Sequence, residues 1–159
     1  MEETTLSPNM QKYHNYQNQF SRLNKSMKAE FYLEAIFISY AIIEDRTKSI
    51  LEHGGHWDAY IKSRRGHQVT LDSKIKHIRK VAEAKKSLEH RYFSDETLGN
   101  ILTWKDQRNV MVHALLNQSV STEELAELAE TGKQLACDLR TMSGNFNRAI
   151  DRLKKKENP

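Results

Sequence analysis

The sequence predicts an all-α protein, an antiparallel bundle of four to five helices. Three observations carry that expectation. Apolar residues recur at helical spacing nearly throughout, with no sustained alternation of the strand type. Only 2 Pro and 6 Gly occur in 159 residues, too few for a barrel or sandwich with many tight turns. The helix-start and helix-stop residues fall at intervals that divide the chain into a few long segments.

The first helix is expected over residues 10–28, with Tyr13, Tyr16, Phe20, Leu23 and Met27 as its buried stripe. The second is expected over 30–53 and stops at Gly54-Gly55, the residue type that ends helices in a left-handed cap. Its run Phe31, Tyr32, Leu33, Ile36, Phe37, Ile38, Tyr40, Ile42, Ile43 is apolar on most sides, so it lies centrally or at a subunit interface. Residues 54–70 read as a loop with one helical turn near Trp57–Ile61. A third helix is expected over 71–88 on the thin stripe Ile75, Ile78, Val81. A fourth follows over 95–116, capped by Ser94 with Asp95 and Glu96 in the first turn. The fifth begins at the capping box Ser121-x-x-Glu124 and runs to about residue 155, with a bend expected near Ser143-Gly144.

A length of 159 residues suits one domain over the whole chain, with 1–9 and 154–159 expected to be flexible. The single cysteine, Cys137, excludes a disulfide framework and a cysteine-cage metal site, and points to a cytoplasmic protein. The longest apolar-rich run is too short to span a bilayer, and residues 1–9 lack the pattern of a signal peptide. His53-Gly-Gly-His56 has no third ligand at useful spacing, so no metal and no cofactor is expected.

The net charge of +4 conceals a gradient. Residues 62–91 hold ten Lys/Arg against three Asp/Glu, whereas the flanking thirds are slightly acidic. Arg64, Arg65, Lys76, Arg79 and Lys80 are the candidates there for contact with RNA phosphates, set against the plainer reading of a solvated helix face.

The fourth helix holds the candidate chemistry. Arg108 falls within its apolar arc, and a buried guanidinium requires an anion or several acceptors. Asn109 and His113 are one turn apart on one face, and Arg108 lies about 140° from His113. Two fates are open for Arg108: binding a phosphate, or anchoring to Glu44 or Asp45 at the end of the apolar run of the second helix, with His113 then a packed core residue. Lys105, Glu44 and Asp45 are the candidate supporting residues.

Arg108-Asn109-Val110-Met111-Val112-His113 resembles the R-x(4–6)-H signature of the HEPN superfamily, including the polar residue directly after the arginine. That resemblance covers six residues in motif and the whole bundle in architecture. It implies a HEPN-like helical fold, a homodimer with a composite cleft, and metal-independent RNA cleavage in a toxin, abortive-infection or other defence setting, with an antitoxin or defence protein as partner. Arg108, His113 and Asn109 would be the catalytic set. One position departs from a known subtype: toxins paired with a nucleotidyltransferase antitoxin often carry Tyr two residues after the histidine, where this chain has Leu115.

Overall fold

The computed structural model describes residues 7–157, and among them every regular element is helical. The helices are α1 (Pro8–Lys28), α2 (Tyr32–His53), α3 (Trp57–Ser63), α4 (Leu71–Ala82), α5 (Leu88–Tyr92), α6 (Asp95–Ala114) and α7 (Thr122–Glu157). No helix among the described residues is long and apolar enough to cross a membrane.

The architecture is centred on α2 and α7, which pack along one another over the longest seam. Helix α1 covers α2, α4 packs on α2, α6 lies against α7, and α5 bridges α4 and α7. Leu23, Ile36, Ile43, Ile50, Ile75, Leu98, Trp104, Leu139 and Phe146 are buried in the shared core. The apolar α2 is therefore the central helix. Its N-terminal part still shows apolar surface, with Phe31 61% and Phe37 50% exposed.

Local chemistry fixes the boundaries. At the end of α2, His56 N–H reaches Leu51 O and Gly55 N–H reaches Glu52 O, which is the Schellman arrangement. Gly55, not Gly54, is the left-handed residue, with φ +75°. The α1–α2 turn repeats this pattern with Glu30 at φ 59°, Phe31 N–H bonding Ser26 O and Glu30 N–H bonding Met27 O. Ser94 caps α6 through Thr97 N–H at 3.1 Å. The Ser121–Glu124 box closes reciprocally at 3.1 and 2.8 Å before α7.

Three expectations change. The single helix expected over 71–88 is two helices, α4 and α5. Ala84 N–H and Ser87 N–H bond Val81 O and Ala84 O in tight turns, and the Ser87 hydroxyl then caps α5 through His90 N–H at 3.0 Å. Tyr13 is exposed rather than in the core, on the side of α1 turned away from α2, which Lys12 and Tyr16 meet at Asp45 and Arg46, whereas Phe20 and Leu23 are buried. Helix α7 continues unbroken through Ser143-Gly144 and carries Lys154–Lys156 in helical conformation. Residues 1–6 and 158–159, part of the ends expected to be flexible, lie outside the described residues.

Candidate functional site

The site is built on the second half of α6. Its first half is an anchor: Leu98, Ile101 and Trp104 are buried, and the Trp104 indole Nε1 donates to Leu128 O of α7 at 2.9 Å. Gly132 makes this approach possible. A Cβ there would overlap the indole, 2.7 Å from Cε2 and closer still to Cζ2.

One turn beyond Trp104, Arg108 emerges half-buried between α6 and α2. Its guanidinium carbon lies 4.6 Å from the centre of the Tyr40 ring and 5.1 Å from that of Phe37. Each such stacking contact contributes roughly 0.5–2 kcal/mol, depending on how fully water is excluded. Nη1 donates to Asn109 Oδ1 at 3.0 Å, while Nε is buried without a hydrogen-bond partner. Among the described residues Arg108 makes no ion pair. Burial, followed by the Glu44 charge, pushes the Tyr40 phenol up, against the opposing pull of Arg108, so the ring stays neutral.

His113 is exposed, not a packed core residue, and its ring makes no hydrogen bond among the described residues. It sits one turn beyond Asn109 on the same helix, and no hydrogen bond joins it to Arg108. The structure thus brings Arg108 and Asn109 together and leaves His113 presented to solvent nearby.

The three supporting candidates are occupied elsewhere. The Glu44 carboxylate takes the Lys74 ammonium, whose side chain is 6% exposed, and accepts from the Tyr40 hydroxyl at 3.4 Å. Asp45 pairs with Arg46 and, at 3.1 Å, with Lys12. Burial pushes the Asp45 carboxyl up, but the Arg46 and Lys12 contacts outweigh it and hold the group below the usual carboxylate range. Lys105 pairs with Asp72 and with Asp106, and those carboxylates overcome the effect of burial and hold its ammonium above the usual lysine range. None of the three carries the Arg108 charge, so anchoring to Glu44 or Asp45 is not the arrangement adopted.

The basic candidates separate in the same way. Arg79 is clamped by Asp95 in a two-pronged pair at 2.6 and 2.9 Å. Arg65 is exposed in the loop after α3. Arg64, Lys76 and Lys80 line one groove of about 420 Å³ between α3 and α4. Of the histidines at the end of α2 and just after it, His53 bonds Ser49 O at 3.0 Å and His56 bonds the buried Glu89 carboxylate at 2.9 Å.

The aromatic clamp is what the sequence reading did not isolate. Phe37 and Tyr40, three residues apart on α2, share a helix face, and that spacing was the available signal. Fold and site together define a class: an all-helical bundle that presents a stacked arginine with no acidic partner among the described residues, beside an asparagine and an exposed histidine. No family model, no curated protein and no solved structure matches the chain.

Proposed function

We propose that the chain is a HEPN-like, metal-independent endoribonuclease acting as a homodimer, of the toxin or abortive-infection type. The observation that supports this reading is Arg108: a stacked, half-buried guanidinium without a carboxylate, beside the asparagine and histidine of an R-x(4–6)-H spacing. Such a group is suited to a phosphodiester. A neutral His113 imidazole takes the proton of an RNA 2′-hydroxyl, and the oxygen attacks the adjacent phosphorus. The 5′-oxygen leaves with a proton from the histidine of a second copy, giving a 2′,3′-cyclic phosphate and a free 5′-hydroxyl. Arg108 balances the charge that develops on the phosphoryl oxygens, and Asn109 holds the guanidinium. Dimerisation through the exposed apolar residues of α2 and α6 (Phe37, Val110) sets two such half-sites around one cleft. An antitoxin or defence protein would restrain the activity.

The second reading is a non-catalytic helical module that binds RNA, a nucleotide or a protein. It is favoured by the lack of a hydrogen bond between Arg108 and His113 among the described residues. Purified protein incubated with RNA in EDTA separates the two. The enzyme reading expects fragments with 2′,3′-cyclic phosphate ends, and a loss of about 10²-fold or more in rate for His113→Ala and for Arg108→Ala. Expression of wild type should then slow growth where His113→Ala does not. Equal decay with wild type and His113→Ala, or no cleavage by either, overturns it.

A further inference from the structure

The ten basic residues of 62–91 are sorted by the fold. Lys74 is buried against Glu44, and Arg79 is clamped by Asp95. Arg64, Lys76 and Lys80 have no carboxylate partner among the described residues, and all three line the α3–α4 groove. The acid in that lining, Asp72, is already paired with Lys105. The positive charge of the groove is therefore uncompensated among the described residues.

One of the three donors is also held in place. Arg64 donates through Nε and Nη2 to Gln68 O, at 3.3 and 2.9 Å, which fixes the guanidinium and leaves its remaining N–H groups free. The hydroxyls of Thr70 and Ser73 are consumed by the capping box of α4, and Tyr60 bonds Ser73 Oγ at 2.7 Å. The free side-chain donors in the groove are thus the cationic groups and the His77 ring. His77 forms one wall, edge-on to Tyr60 with ring centres 5.5 Å apart. Burial, then the neighbouring His56 and Lys80, hold its imidazole below the usual histidine range. Converging like charges at a concave site repel one another, and a bound anion relieves that repulsion. A volume near 420 Å³ accommodates a mononucleotide or a short stretch of strand.

We propose that the α3–α4 groove is a phosphate-ester site, in which Arg64, Lys76 and Lys80 bind the phosphate of a nucleotide or of a single RNA strand, independently of Arg108. The site stands whether or not the chain cleaves RNA. Two probes distinguish the sources of the phosphate: AMP, and an octaribonucleotide methylated at every 2′-oxygen so that it resists cleavage. Titration calorimetry at low salt should show saturable binding of at least one. AMP binding marks a mononucleotide site, and binding of the octamer alone marks a strand site.

The Lys76→Glu/Lys80→Glu protein should lose about tenfold or more in affinity. Lys85→Glu/Lys86→Glu makes the same charge change in the same segment but outside the groove, and should lose under about threefold. Lys76→Gln/Lys80→Gln, with an unchanged melting temperature, serves if the glutamate pair disturbs folding. No binding of either probe, or a loss from Lys76→Glu/Lys80→Glu no greater than that from Lys85→Glu/Lys86→Glu, would each overturn the proposal.

Discussion

In the first half of α6, Leu98, Ile101 and Trp104 are sealed in the core. Two turns further on, Val110 is 69% exposed and His113 faces solvent. The same helix is an anchor at one end and a platform at the other. The difference lies in what opposes each half. The first half meets α7 at Gly132, where a missing side chain lets the indole lie on the backbone. The second half has no fully buried side chain: Met111 packs against the edge of the core, Lys105 reaches Asp72 of α4, and Arg108 reaches the Phe37 and Tyr40 rings of α2. Stability is therefore concentrated before residue 105 and the candidate chemistry after it.

The contrast can be tested by substitutions along the helix. Trp104→Ala removes a fully buried aromatic and its hydrogen bond, and should cost about 3–5 kcal/mol in urea unfolding. A loss under about 1 kcal/mol would mean that the first half is not the anchor. Gly132→Ala should destabilise by roughly 1–3 kcal/mol through overlap with the indole. That sign is opposite to the gain of about 1 kcal/mol expected from the same change in an exposed helix interior, so a raised melting temperature would refute the close approach. Beyond residue 105 the expectation reverses: His113→Ala should shift unfolding by no more than about 0.5 kcal/mol. A larger loss would place His113 in the folded core and erase the contrast.

Much of the fold was legible because its boundaries are written locally. Ser94, the Ser121–Glu124 box and Gly54-Gly55 each act within a few residues of themselves. The break between α4 and α5 was hidden for a different reason. Apolar spacing runs on from Ile78 through Val81 to Leu88, and a serine in mid-pattern reads as an exposed helix residue until its hydroxyl is seen on His90 N–H. Tyr13 shows the complementary limit: periodicity assigns a face but does not say whether another helix covers it.

The candidate site divided along the same line. Arg108, Asn109 and His113 were readable as a spacing. The partners of Glu44 were not, because Lys74 reaches it across thirty residues of chain, through packing of α4 on α2. Likewise the basic segment was visible as composition, but only tertiary contacts reveal that Arg79 is neutralised by Asp95 while Lys76 and Lys80 are not.

Because Trp104 and Arg108 are successive rungs on one side of α6, the indole bond to Leu128 O also sets the rotation of the whole helix about its axis. A small roll would lift the guanidinium from its two rings. The aim of a charged group at the protein's rim is thus calibrated from the interior, by a carbonyl twenty-four positions along the chain from the tryptophan that reads it.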